Sequence, residues 1–308
     1  MTDGKASQTL VIWNPSAGGG DDGDLDARRD TLRTALSKAG VDVELYESPS
    51  EEAAAKRVDE ALAAGVERIV AAGGDHTVRS IAFQLLGTET ALGILPLGTA
   101  MNIARSIGIP LELDAAAAIL ASGSIRAIDV GSIGDRPFLE VATIGLAADL
   151  LGDATQVSEG RLRYLVAFVR RAVQHRRTRV WLDLDGREVR HRVVSLAIAN
   201  GPFTGRAMEI APDARIDDGQ LDVVCFLGDG PIEFLKELVR AALGVGAGTR
   251  TARYRAARVR VWSHHPLPVR ADSTDVGTTP LRLELRHGIL RVVASGRSSA
   301  PTGTATLE

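Results

Sequence analysis

"VAAGGDHTVRSIA", residues 70–82, decides the fold. An apolar run ends in Gly73-Gly74, then come Asp75, His76 and Thr77, and Val78, Ile81 and Leu85 recur at helical spacing. A buried strand delivered into a side-chain-poor corner and straight into a helix is the βα unit of a parallel sheet. Two other stretches repeat the design: "TLVIW" (9–13) runs into "NPSAGGG" (14–20), and "LGILP" (92–96) into "LGTA" (97–100). Between them, Leu25, Leu32, Ala35, Leu36 and Ala39 carry a helical pattern stopped by Gly40. "VDVELYE" alternates as a strand does, and Ser50 before Ala53 marks a helix start. This alternation predicts a parallel sheet with helices on both faces over residues 8–126.

Beyond residue 126 the texture changes. Short alternating segments dominate to about residue 295, among them "RAIDVGSI", "FLEVATI", "TRVWLDLDG", "RHRVVSLAIAN", "LDVVCF", "ARVRVW", "LRLEL" and "LRVVA". Asp185-Gly186 and Asp218-Gly219 supply turns. The pattern predicts a second, antiparallel β-sandwich domain over 127–295, interrupted by helical patterns in "GRLRYLVAFVRRAVQHRR" and "GPIEFLKELVRAAL", with a disordered tail over 296–308. The last strand segment is expected to return toward the first domain.

Composition bounds the function. The chain has 308 residues, a formal net charge of −3, 45% hydrophobic and 24% charged residues, as expected of a folded chain of about two domains. The charge offers nucleic acid no global attraction. Cys225 is the one cysteine and lies in an apolar run. A disulfide within the chain is therefore excluded, and a small buried hydrophobe in a cytoplasmic protein is expected. No stretch is long and apolar enough to cross a bilayer, so membrane contact is expected to be peripheral. The basic segment within 168–179 suits anionic headgroups. His264-His265 would face opposite sides of a strand, a poor metal site.

The three corners carry chemistry. Loops after successive parallel strands gather at the carboxyl edge of a sheet, where ligands bind. Missing side chains let backbone N–H groups approach an anion, and the following helix N-termini add positive charge. Thr77 and Thr99 offer hydroxyl donors. One such corner is only a tight turn, whereas three in register predict a nucleotide-phosphate site. It is neither the lysine-bearing P-loop nor G-x-G-x-x-G.

The sequence resembles the diacylglycerol kinase catalytic-domain family, which includes bacterial diacylglycerol and YegS-type lipid kinases and sphingosine kinases, with NAD kinases more distant. The resemblance is carried by Asn14-Pro15 with Gly18 and Gly20, Gly73-Gly74-Asp75-x-Thr77, "PLGTAMNIARSIGIP" (96–110), "IANGPFTG" (198–205), "APDARIDDGQLDV" (211–223) and "VRADSTDVGTTPLRLEL" (269–285). It implies an ATP-dependent kinase of a lipid alcohol, with ATP in an NAD kinase/diacylglycerol kinase-like α/β domain and the lipid in the cleft between domains. The implied nucleotide contacts are Asn14, Pro15, Ser16, Ala17, Gly18, Ser48, Gly73, Gly74, Asp75, His76, Thr77, Val78, Arg79, Gly98 and Thr99. A magnesium ion (Mg2+) maps onto Asp218, with Arg215 and Gln220 lending carbonyls. The implied partners are a lipid alcohol and a membrane surface, with no nucleic acid. Monomer and homodimer are both left open.

Three positions depart from the family. His76 replaces glycine, Met101 replaces asparagine, and Thr274 stands where a catalytic glutamate is usual. Asp75 is expected to organise the phosphates or the metal, and Asp272 or Asp275 to replace the missing base. Two rival readings follow: a nucleotide- or lipid-binding relative with impaired turnover, and a kinase for a soluble hydroxyl substrate such as NAD.

Overall fold

The structure, a computed structural model, describes residues 9–16, 25–149, 177–205, 207–228, 230, 232–234, 236, 240 and 250–295. Ala17, Gly18, the basic segment 168–176 and the tail lie outside them.

The first half alternates as expected: β1 (Thr9–Trp13), α1 (Leu25–Lys38), β2 (Glu44–Glu47), α2 (Glu51–Ala63), β3 (Arg68–Gly73), α3 (Asp75–Gln84), β4 (Ala91–Pro96), α4 (Asn102–Ser106) and α5 (Leu113–Ser122). Strands β2-β1-β3-β4 are neighbours and parallel. β1, β3 and β4 are almost wholly buried, which is why they are continuous apolar runs rather than alternating ones. Ser50 caps α2, its hydroxyl oxygen accepting from the Ala53 amide at 3.1 Å. Val58 and Ala61 turn that helix onto the sheet.

The second half contributes β5 (Ser124–Ile133), β6 (Arg136–Phe138), β7 (Val141–Gly145), β8 (Thr178–Leu184), β9 (Arg187–Val193), β10 (Ser195–Ala199), β11 (Phe203–Thr204), β12 (Met208–Glu209), β13 (Leu221–Phe226), β14 (Thr251–Ala256), β15 (Arg258–Ser263), β16 (Pro268–Ala271), β17 (Thr274–Thr278) and β18 (Leu281–Ala294). One layer of the sandwich is the sheet β14-β13-β10-β7-β16-β17. The other contains β5, β6, β8, β9, β15 and β18 and is continuous with the first domain's sheet. Val180, Leu182, Ile198, Val223, Val259 and Leu283 fill the space between the layers. Cys225 is buried there too, and burial pushes its thiol up to about 12.

Segment boundaries differ from the sequence reading in three places. "LRLEL" and "LRVVA" are one strand, β18, with a register shift against β5 between Arg286 and Leu290. Its first part pairs with β15, and Val292 pairs in parallel with Leu92 of β4, so β18 joins the two domains. "FLEVATI" is broken at Leu139-Glu140, because the amides of Leu139, Glu140 and Val141 donate to the Asp272 carboxylate instead of continuing one ladder. β6 and β7 consequently belong to different layers. His264 and His265 lie in a bend after β15, and their rings meet, Nδ1 to Nε2 at 3.1 Å, rather than facing apart. Among the described residues no helix is long and apolar enough to cross a membrane.

Candidate functional site

The corners after β1, β3 and β4 lie side by side at one edge of the sheet. Trp13 pairs with Ala72 and Gly73 with Pro96. The Asn14 amide donates to the Ala72 carbonyl at 3.0 Å and the Leu97 amide to that of Gly73 at 3.0 Å. The two later corners touch: a Cβ on Gly98 would stand 2.7 Å from the Gly74 Cα, and one on Gly73 would meet the Thr77 side chain at 2.5 Å. Any larger residue would push these loops apart.

Beside this junction is a cavity of ≈ 260 Å³ lined by Asn14, Pro15, Ser16, Ser48, His76 and Thr77, with Ser50, Glu51 and Ser80 at its wall. Asn14 Nδ2 donates to Thr77 Oγ1 at 3.2 Å, which leaves the Thr77 hydroxyl hydrogen available to a ligand. Ser48 is held by its amide to the Trp13 carbonyl and by its hydroxyl to that of Ser50. Thr99 is exposed next to Gly98 and does not line the cavity. Of the residues expected at a nucleotide, Asn14, Pro15, Ser16, Ser48, His76 and Thr77 line this cavity, and Gly73, Gly74 and Gly98 form the junction beside it. Asp75, Val78 and Arg79 do not line the cavity: the Val78 side chain is in the first-domain core and its amide donates to Gly74 within the helix, and Arg79 reaches Asp272 and His76.

His76 takes up an ordinary helical position in α3, so no glycine is needed there. Its ring makes two bonds, Nδ1 with Arg79 Nη2 at 3.2 Å and Nε2 with Glu51 at 3.1 Å. Arginine only donates, so Nδ1 accepts and Nε2 carries the hydrogen. The contact with His76 lowers the Glu51 carboxyl. Met101 sits at φ 50°, a left-handed conformation that asparagine enters more readily than methionine. Its buried side chain closes the space beside Gly98.

Asp75 is turned away from the cavity wall. Its Oδ1 accepts the Ile103 amide at 3.2 Å, and the Met101 and Asn102 amides also favour its charge. Burial nevertheless raises its carboxyl above the usual range. Through these amides Asp75 fixes the 101–103 segment.

Asp272 is committed in the same way. Its carboxylate accepts the Leu139, Glu140 and Val141 amides at 2.7, 2.9 and 3.3 Å, and its carbonyl accepts Arg79 Nη1 at 3.0 Å. Thr274 and Asp275 are exposed on β17. Asp275 Oδ1 accepts the Gly277 amide at 2.8 Å.

Between Asp75 and Asp272 lies a carboxylate that the sequence reading did not single out. Glu140 is buried, accepts Asn102 Nδ2 at 2.8 Å, and is pushed up to about 8 by burial and by the neighbouring charges of Asp272 and Asp75. A lone glutamate in the middle of "FLEVATI" was its signal.

The metal candidates share one loop. Asp218 Oδ1 accepts the Gln220 amide at 3.1 Å, and Arg215 pairs with Asp217 at 3.4 Å. Asp129 clamps the loop to β18: its carboxylate accepts the Gly219 and Gly288 amides at 2.7 and 2.8 Å and meets His287 Nδ1 at 2.7 Å. Asp222 Oδ1 accepts Arg255 Nε at 3.1 Å while its Oδ2 is buried without a hydrogen-bond partner; burial, and less strongly the charge of Asp218, raises that carboxyl against the pull of Arg255. One turn carboxylate, a nearby orphaned oxygen and main-chain carbonyls make an oxygen-rich donor set that fits a hard cation. Among the described residues no group of three or more histidine, cysteine or acidic side chains gathers for a metal.

Residues 8–133 match the diacylglycerol kinase catalytic domain, and residues 142–294 match the YegS C-terminal NAD kinase beta sandwich-like domain. The chain belongs to the YegS-like family of diacylglycerol-kinase-type lipid kinases. The YegS-like relatives include a "Probable lipid kinase YegS-like" of Pseudomonas savastanoi pv. phaseolicola, 33% identical over 78% of this chain and 79% of that one. Another, of Pseudomonas aeruginosa, is 34% identical over 76% and 79%. In fold, this YegS-like chain matches the crystal structure of a putative diacylglycerol kinase from Bacillus anthracis str. Sterne, with a TM-score of 0.75, 24% identity, and coverage of 94% of this chain and 98% of that one. Membership supports phosphotransferase activity of the lipid-kinase type and nucleotide-dependent catalysis in general.

Proposed function

We propose that the chain transfers the γ-phosphoryl group of ATP to the hydroxyl of a lipid alcohol of the diacylglycerol or sphingoid kind. The observation that supports this most directly is the contact of the Gly73-Gly74 and Gly98 corners beside a ≈ 260 Å³ cavity, a shape that suits a phosphate chain gripped by backbone. Bound ATP with magnesium supplies the phosphoryl group and the positive charge that shields it. The residues that would hold the nucleotide are Asn14 to Ser16, Ser48, Gly73, Gly74, Thr77, Gly98 and Thr99. Asp75 positions the third corner through the 101–103 amides. Asp218, with the carbonyls of Arg215 and Gln220, would hold a structural magnesium in the second domain. The lipid oxygen forms the new P–O bond as the bond to the departing ADP breaks.

The proton of the lipid hydroxyl needs an acceptor. Asp272 is spent on three amides, whereas Asp275 is exposed with a single amide on one oxygen, so Asp275 is the better base. Phosphoryl transfer depends mainly on positioning and electrostatics, so a weak base is tolerable. Such an enzyme meets its acceptor at a membrane from the aqueous side.

A phosphate-transfer assay with labelled ATP against a panel of lipid alcohols tests the reading. The wild type should label at least one lipid, and Asp75→Asn should lose that labelling. ATP binding by calorimetry with no transfer to any lipid would instead favour the second reading, a binding protein of impaired turnover. Thr274 in place of a glutamate is the feature that favours that alternative.

A further inference from the structure

The outward face of the β8-β9 hairpin carries a charge arrangement the proposed kinase chemistry does not use. In the hairpin, Arg179 stands opposite Arg192 and Trp181 opposite Arg190. Across β15, Trp262 stands opposite Trp181. Strand alternation sends Val180, Leu182 and Val193 into the core and these five residues outward. Arg179, Arg190 and Arg192 are exposed, and Trp181 and Trp262 half-buried. They line or adjoin a groove of ≈ 350 Å³.

Farther along the same face the arginines have partners: Arg260 with Asp183 at 4.0 Å and Arg258 with Asp185 at 3.6 Å. At the Trp181 end no carboxylate lies within 4.0 Å of the three arginines among the described residues. Like charges set directly opposite on neighbouring strands are destabilising. The fold maintains such a pair, Arg179 and Arg192, in a chain whose net charge is −3. An anionic partner removes that repulsion. Two of the chain's three tryptophans flank the spot, and indole is the side chain that settles at the boundary between water and hydrocarbon.

We infer that this face is a docking surface for an anionic phospholipid bilayer, with the three arginines on headgroup phosphates and Trp181 and Trp262 in the interface. The choice of occupant rests on the lipid-kinase reading, whose acceptor resides in a membrane.

The test is vesicle flotation, with phosphatidylcholine vesicles compared with vesicles that also carry phosphatidylglycerol. The wild type should float with the anionic vesicles alone. The triple variant Arg179→Ala, Arg190→Ala, Arg192→Ala should partition about 10²-fold less, roughly five-fold for each arginine lost. Removal of the repulsion should leave its melting temperature no lower than wild type. Trp13 is buried at 1% exposure, so a blue shift of tryptophan emission on adding anionic vesicles reports Trp181 and Trp262. It should be quenched by brominated acyl chains. Absence of flotation, flotation unchanged in the triple variant, or an emission change reproduced by inorganic phosphate or by DNA without vesicles would overturn the assignment. Turnover of a short-chain lipid alcohol in detergent separates the two proposals. Normal turnover with no flotation removes only the docking surface. Arginine-dependent flotation without turnover in any lipid removes the kinase reading and leaves the surface standing.

Discussion

Arg79 Nη1, one helical turn past the Gly73-Gly74 corner, donates to the carbonyl oxygen of Asp272 at 3.0 Å. The bond ties the first domain to the β16-β17 turn of the sandwich. Arg79 Nη2 meanwhile meets His76, which meets Glu51 at the cavity wall. A chain of contacts therefore runs from the cavity to the domain junction. The charge of Arg79 also opposes the rise in carboxyl pKa at Asp75, Glu140 and Asp272. Arg79→Ala should cost about 1.5–3 kcal/mol of stability, the range for a hydrogen bond from a charged group. Arg79→Lys should recover part of it. Denaturant unfolding of both variants measures this, and an unchanged midpoint for Arg79→Ala would contradict the structural role.

Glu140 makes stability depend on pH. Its folded value of about 8 lies above the ordinary 4.5. Between these values the folded chain holds a proton that the unfolded chain has released, so stability falls as pH rises through the window. The contribution is complete below about 4.5 and gone above about 8. Burial raises Asp272 in the same direction. Glu140→Gln keeps an oxygen for Asn102 and removes the titration. Melting temperatures from pH 5 to 9 should therefore converge at the acid end and show the variant more stable at the alkaline end. Parallel curves would mean that Glu140 is charged at neutral pH.

Gly98→Ala would place a methyl group 2.7 Å from the Gly74 Cα and 2.9 Å from the Met101 sulfur. The sulfur can swing aside, but the backbone cannot without opening the corner. Overpacking of this kind costs about 1–3 kcal/mol. The variant should melt earlier and bind ATP more weakly by calorimetry. Wild-type affinity would show that the touching corners do not grip the nucleotide.

Thr274→Glu puts a carboxylate at the exposed head of β17, where the sequence resemblance implies a base. If a base is what the chain lacks, lipid phosphorylation should rise by about 10²-fold, the lower end of general-base contributions. Asp275→Asn should lower the wild-type rate by a similar factor. A rate indifferent to both substitutions would place the proton acceptor elsewhere.

Local sequence was sufficient wherever local chemistry settles the outcome. The apolar runs 69–72 and 92–95, the small residues that end them and the Ser50 cap each act within a few residues of themselves, and each was legible. Glu140 was not, because its state is set first by burial in the folded chain and then by the charge of Asp272, 132 positions away, against the hydrogen bond from Asn102, 38 positions away. The break in "FLEVATI" was hidden for the same reason: the competing acceptor for its amides is the distant Asp272 carboxylate. The single long β18 escaped notice because Arg286, His287 and Gly288 look like a turn, and only pairing with β5 carries the strand past them.

The sequence by itself determined the order of elements in the first domain, the two-domain plan and the three side-chain-poor corners, because hydrophobic periodicity and missing Cβ atoms are properties of short stretches. Tertiary structure alone decided which carboxylates are free. The sequence assigns Asp75 to the phosphates or the metal and offers Asp272 as a base, yet Asp75 Oδ1 accepts the Ile103 amide and both Asp272 carboxylate oxygens are taken by the amides of 139–141. A carboxylate already bonded to backbone N–H groups is a strut, and its partners come from chain far away in sequence.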